Sequence, residues 1–147
     1  MPGWAKALLI IGTAVLLLIV LVVGAGVFWW TQNKDALKAR AKEAAADGRE
    51  FGKRSDNQGC VDETMARYKK EQGFFSALKY QRFMDGCLAT SRPTPEFCDG
   101  LPLGNMMKMA AWQDALCQRY DLANDRNCKQ LSMPVVMFCG AKKRSES

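Results

Sequence analysis

The fold of this chain is decided by an unbroken apolar stretch near its N-terminus, residues 7–30, ALLIIGTAVLLLIVLVVGAGVFWW. No charged residue occurs between Lys6 and Lys34. As a helix that rises 1.5 Å per residue, this segment extends about 36 Å, which exceeds the roughly 30 Å of a bilayer's hydrocarbon core. We therefore predict a transmembrane helix over 7–30, preceded by a short tail over 1–6.

Aromatic residues mark both ends of this apolar segment. Trp4 precedes it, and Phe28, Trp29 and Trp30 close it; aromatic rings favour the headgroup region of a bilayer. A cleaved secretory signal is the alternative, but its apolar core is usually about 7–15 residues long. This segment is longer and ends in three bulky aromatic side chains, so we expect an uncleaved anchor that contacts the lipid bilayer.

The composition of the chain excludes the commonest catalytic arrangements. Its 147 residues carry a formal net charge of +6 and include 6 cysteines and no histidine. Without imidazole there is no Ser/His or Cys/His nucleophile pair and no histidine metal ligand. The sequence also has no glycine-rich phosphate loop, GxSxG or HExxH motif. We expect a protein that is not an enzyme, with no cofactor, metal site or small-molecule substrate.

Residues 31–54 are basic and rich in strong helix formers, which predicts a juxtamembrane helical stalk and linker. From Lys34 to Arg54 there are seven positive and four negative residues, so this stretch holds half of the net charge. Gly48 and Gly52 predict a break before the folded body. Because that body is close to neutral, the charge does not indicate a nucleic-acid partner.

Residues 55–140 predict a small cysteine-containing domain of about four short helices, because apolar residues recur at helical spacing and no stretch alternates like a strand. The polar residues 141–147 are expected to form a disordered tail. The predicted fold class is all-α, with a single N-terminal transmembrane helix, a stalk and a disulfide-linked bundle. The predicted helices begin near Cys60, run from Phe74 to Ala89 and from Asn105 to Tyr120, and end in a stretch from Cys128 that restarts at Pro134.

Core positions follow from the same spacing. On the first two helices of the domain we expect Cys60, Val61, Thr64, Met65 and Tyr68, then Ala77, Tyr80, Gln81, Met84, Cys87 and Leu88, to face inward. On the third helix we expect Met106, Met109, Trp112 or Gln113, Leu116 and Tyr120.

The six cysteines predict disulfides rather than a metal centre. They are Cys60, Cys87, Cys98, Cys117, Cys128 and Cys139, and no two lie closer than 11 residues. Zinc sites and iron–sulfur clusters use closely spaced cysteines. An even number in a small domain is instead typical of a disulfide framework that forms in an oxidising compartment.

Hairpin geometry leaves two pairing schemes, because partners across a turn lie equally far from its centre. Both schemes join Cys117 with Cys128. The first adds Cys87 with Cys98 and Cys60 with Cys139; the second adds Cys60 with Cys87 and Cys98 with Cys139. We favour the first scheme, since it ties the two ends of the domain together.

Two rules disagree about the side of the membrane on which the domain lies. The positive-inside rule counts Lys34, Lys38, Arg40 and Lys42 after the segment against Lys6 before it, which places the domain in the cytoplasm. Disulfides require an oxidising compartment. We give the cysteines more weight and expect a periplasmic or extracellular domain, with the cytoplasmic side as the alternative.

Together these features predict a single-pass accessory or assembly subunit of a larger membrane complex, whose partners are other membrane-protein subunits. Residues expected to contact those partners are Phe74 and Phe75 at a hairpin bend, and Leu101, Met106 and Met107 in the stretch 101–107. The alternative is a membrane-tethered redox or copper-handling factor that acts through cysteine or methionine, because soft sulfur ligands suit Cu(I).

Overall fold

A computed structural model describes residues 2–146 of the chain. Its helices are α1 (Gly3–Gly52), α2 (Asn57–Lys70), α3 (Phe74–Thr90), α4 (Met106–Arg119), α5 (Cys128–Leu131) and α6 (Met133–Ser145). Within residues 2–146 there is no β-strand, and the single isolated bridge pairs Asp56 with Arg92. The all-α prediction is confirmed. Met1 and Ser147, at the ends of the two predicted tails, lie outside the described residues.

The chain divides into an N-terminal unit, Met1–Ala39, and a C-terminal unit, Arg40–Ser147. The N-terminal unit is the first part of α1. This helix is long and apolar enough to cross a membrane, and none of its most apolar stretch is buried. The hydroxyl of Thr13 donates to the Leu9 carbonyl at 3.0 Å, so a polar side chain within the apolar segment is satisfied by the helix itself.

The C-terminal unit begins with the last turns of α1. Ala44, Gly48 and Gly52 are buried, and their four-residue spacing places them on one face of the helix. Residues 40–52 therefore belong to the C-terminal unit, whereas the sequence predicted a stalk and linker that extends to residue 54. Gly48 does not break α1, which continues to Gly52.

Small residues let α1 and α3 approach each other closely. A methyl group at Gly48 would overlap the main-chain carbonyl of Phe83, and one at Gly86 would overlap that of Ala45. The Thr90 hydroxyl donates across the same contact to the Arg49 carbonyl at 2.9 Å. Glycine is required here because only its missing side chain leaves room for the neighbouring backbone.

Helices α2 and α3 form the hairpin that the spacing predicts. Asp56 caps α2 by accepting a hydrogen bond from the Gly59 amide at 2.7 Å, and Gly73 precedes α3 with a φ of 143°. All five predicted core positions of α2 are buried. On α3 the spacing missed Phe83, which is buried, whereas Gln81, predicted to face inward, is only half-buried.

Helices α4, α5 and α6 complete the unit. Asn105 caps α4, and α6 restarts after Ser132 with Pro134 in its first turn, as predicted. Met106 does not face inward: it begins α4 and is exposed. Residues 141–145 are helical rather than disordered, because their lysine and arginine side chains favour the C-terminal end of a helix. The described part of this unit therefore has five helices, α2–α6, besides the end of α1.

Candidate functional site

Three disulfides link the C-terminal unit. The Cα–Cα distances are 5.7 Å for Cys60–Cys87, 5.5 Å for Cys98–Cys139 and 6.0 Å for Cys117–Cys128. The favoured pairing of Cys87 with Cys98 and of Cys60 with Cys139 is wrong, and the second scheme is the observed one. Cys60 and Cys87 face each other across the α2–α3 hairpin, while the loop after α3 carries Cys98 to α6.

These cysteines act as links between elements rather than as open reactive groups. Cys60, Cys87 and Cys128 are fully buried, and among residues 2–146 no cysteine is unpaired. In the same range no three His, Cys, Asp or Glu side chains come together in a way that could hold a metal ion. The redox and copper alternative stays a prediction.

Arg67 on α2 connects three helices. Its guanidinium pairs with Glu63 on its own helix at 2.7 Å and with Asp47 of α1 at 2.6 Å. The same group lies 4.4 Å from the centre of the Phe83 ring, a cation–π distance. Arg67 therefore fixes the end of α1 to the α2–α3 hairpin, a role that the sequence did not reveal.

Each tyrosine hydroxyl donates a hydrogen bond to a carboxylate. Tyr68 donates to Asp125 at 2.9 Å, Tyr80 to Glu71 at 2.7 Å and Tyr120 to Asp62 at 2.5 Å. Burial, followed by these hydrogen bonds, raises the pKa of all three phenols above the ordinary value. The phenols are therefore neutral near pH 7, and they join helices and loops rather than supply an acid or base.

A groove of about 300 Å³ lies between the loop after α3 and α4, with the half-buried Trp112 in its lining. The loop is tied to α2, since the Thr94 amide donates to the Asn57 side chain at 3.0 Å and the Gln58 amide donates to the Thr94 hydroxyl at 3.1 Å. Glu96, in the same lining, has a φ of 59°. The charged residues of its lining, Glu96, Asp99 and Arg119, are exposed.

The predicted contact residues fall into two kinds. Phe74 and Phe75 are exposed, and their rings meet edge to face at 5.5 Å. Met106 and Met107 are 90% and 87% exposed. Leu101 instead packs against the hydrophobic core. The two phenylalanines and the two methionines thus form free apolar surface, while Leu101 helps to close the core.

The predicted interface residues of the apolar segment are also exposed. Trp4, Phe28, Trp29 and Trp30 each leave more than half of their surface uncovered in the N-terminal unit. Aromatic side chains at both ends of such a segment suit the two polar surfaces of a bilayer.

Sequence reasoning missed the residues that attach the end of α1 to α3. The signal was available, because Ala44, Gly48 and Gly52 follow one another at four-residue intervals. Such spacing of small residues is typical of close helix contacts.

Similarity to known proteins adds no further constraint. The chain matches no protein-family model, and no curated protein or solved structure is significantly similar to it. Function is therefore inferred from the residues and their geometry.

Proposed function

We propose that the protein is a single-pass, non-enzymatic accessory or assembly subunit of a membrane complex, with its C-terminal unit outside the cytoplasm. One observation carries this proposal. The most apolar stretch of α1 has no buried side chain, although the C-terminal unit buries a core of its own. An apolar helix that its own protein leaves uncovered needs lipid or other transmembrane helices around it.

The disulfides support the periplasmic or extracellular side. Three pairs at bonding distance, with no unpaired cysteine among the described residues, fit an oxidising compartment. The basic residues after the apolar segment favour the opposite side, but Asp35 and Glu43 lie in the same stretch and the bias is moderate.

The exposed methionines support a protein partner. Met106 and Met107 begin α4 with nearly all of their side-chain surface free. Methionine is flexible and polarizable and adapts to irregular apolar surfaces, and it is enriched at protein interfaces. We assign these two residues to the contact with other membrane-protein subunits.

Membrane extraction and sidedness test the anchor. The protein is expected to stay in membranes washed with alkaline carbonate and to enter solution only with detergent. A C-terminal tag is expected to be digested by protease added to intact spheroplasts. Release by carbonate, or a tag that stays protected until the cells are lysed, would contradict the proposal.

Purification from native membranes in mild detergent tests the partner contact. The wild-type chain is expected to travel with other subunits, and the double variant M106K/M107K is expected to lose them. M137K is the matched control, because Met137 is another exposed methionine, at 66% exposure, on α6. Recovery of the wild-type chain as an isolated monomer would count against a complex subunit.

A further inference from the structure

An apolar cluster projects from the start of α3. It consists of Phe74, Phe75 and Leu78, which we name the apolar tip, and each of them is exposed. Residues three and four apart are neighbours on a helix, so the three side chains form one patch. None of them belongs to the hydrophobic core, and the core therefore gives no reason for their apolar character.

The apolar tip lies at the same end of the C-terminal unit as Arg40, the first residue of that unit. Gly48 lies against Phe83, and Gly52, four residues later, lies against Cys87 and Thr90. Residues 40–52 of α1 and helix α3 therefore run in the same direction. Because α3 begins at the apolar tip and 40–52 begin at Arg40, both starting points are at the same end of the unit.

Charge around the apolar tip fits a lipid surface. Between Thr64 and Met84 the only carboxylate is Glu71. Its side chain accepts hydrogen bonds from the Tyr80 hydroxyl at 2.7 Å and from Lys79 at 3.0 Å, and these bonds hold the pKa of Glu71 below its usual value. The carboxylate is thus paired within the protein. In the last turn of α2, Lys69 is paired with Asp121 at 2.8 Å, and Lys70 adds a positive charge.

We propose that the apolar tip inserts into the boundary between headgroups and acyl chains of the bilayer that residues 7–30 cross. This inference rests on the proposed membrane anchor. Trp30 and Arg40 are ten residue steps apart, which at full extension is at most about 36 Å. Phenylalanine and leucine bury readily in this boundary region, and the charge of Lys70 attracts anionic headgroups. The apolar tip would be a second membrane contact besides the anchor.

Photo-crosslinking of the full chain in vesicles of phosphatidylcholine and phosphatidylglycerol tests the inference. Benzoylphenylalanine replaces Phe75, Met107 or Leu17 in three separate variants. Met107 is the matched control, because it is also exposed and apolar. It lies at the start of α4, whereas the chain beyond the other end of α4 leads to Asp125, which accepts a hydrogen bond from Tyr68. Leu17 lies within the apolar segment and reports the anchor itself. Mass spectrometry counts lipid adducts and checks that all three disulfides have formed.

We expect lipid adducts at positions 75 and 17, with a yield at 75 about tenfold or more above that at 107, since a buried phenylalanine side chain strongly prefers an apolar medium. Adducts at 17 but not at 75 would overturn the inference and leave the anchor intact. Absence of adducts at both positions would overturn the anchor and the inference with it. In native membranes, a protein adduct in place of lipid at position 75 would assign the apolar tip to a partner subunit and would also overturn the inference.

Discussion

Glycine has opposite surroundings in the two units of the chain. In the N-terminal unit, a methyl group added at Gly12, Gly24 or Gly26 would meet nothing within 4 Å. In the C-terminal unit, one added at Gly48 or Gly86 would overlap the backbone of a neighbouring helix. The same residue is therefore tolerated in the first unit and required in the second.

The two units also differ in the exposure of their apolar side chains. The N-terminal unit exposes its leucines, isoleucines and valines, whereas the C-terminal unit buries its own and adds three covalent links. A unit of about 108 residues has a limited core, for which disulfides are a common supplement. The hydrophobic core and the three covalent links therefore belong to the C-terminal unit.

Removal of a disulfide is expected to destabilise the C-terminal unit strongly. The bond between Cys98 and Cys139 spans 41 residues and that between Cys117 and Cys128 spans 11. Loop entropy predicts losses of about 4 and about 3 kcal/mol in the free energy of unfolding when each pair is replaced by serine. Urea unfolding of the full chain in mild detergent, followed by near-ultraviolet circular dichroism, measures both. The reverse order would contradict an entropic origin.

The next loss in the free energy of unfolding is expected from a side chain added at a crowded glycine. G48A is expected to lower the free energy of unfolding of the C-terminal unit by about 2–3 kcal/mol, because the added methyl group has no space beside α3. G24A is the matched control and should leave that free energy unchanged. The same urea titration compares the two variants. An unchanged midpoint for G48A would show that residues 40–52 are not packed against α3 in solution.

The sequence could predict the hairpin because its signals are local. Cys60, Thr64 and Tyr68 repeat at helical intervals, and Asp56 supplies a cap. Local signals also gave a wrong prediction at Gly48. A break was expected there because glycine in a helix costs about 1 kcal/mol relative to alanine. That cost is offset by a contact with α3 that lies 35 residues further along the chain, at Phe83.

The candidate contact surfaces and the disulfide pairing were harder to predict than the helices. Spacing left two pairing schemes, and the favoured one was wrong, because the choice between them depends on where the loop after α3 carries Cys98. Met106 matched the inward period of α4 but lies at its first turn, where no neighbouring helix covers it. Leu101 looked equally free and packs against the core. Such distinctions follow from tertiary contacts that a periodic pattern does not contain.

Alkaline pH should weaken only the C-terminal unit, because all three tyrosines lie in it. Burial and then hydrogen bonds to carboxylates raise the pKa of each phenol in the folded state, while the unfolded value stays near 10. Their contribution to stability is therefore complete below about pH 10 and is lost as the pH rises further. Absorbance at 295 nm should show that the phenols ionise at a higher pH than free tyrosine. The urea midpoint should be lower at pH 11 than at pH 9, two values that bracket the unfolded pKa of about 10.

Titration of all three phenols near pH 10 with an unchanged urea midpoint would contradict this expectation. Y80F is an informative variant, since it removes the hydroxyl that donates to Glu71 and keeps the ring. It should reduce the fall of the urea midpoint at alkaline pH.

The smallest effect on stability is expected at the apolar tip. Phe75 is 72% exposed, whereas Phe83, on the same helix, is 1% exposed. F75A should therefore change the free energy of unfolding by less than about 0.5 kcal/mol, and the control F83A should lower it by about 3–5 kcal/mol. Urea unfolding in detergent measures both variants. A large loss in F75A would make the phenylalanine a structural residue of the C-terminal unit. A negligible loss, together with fewer lipid adducts at the neighbouring position 74, would mean that its apolar surface serves a contact outside the chain.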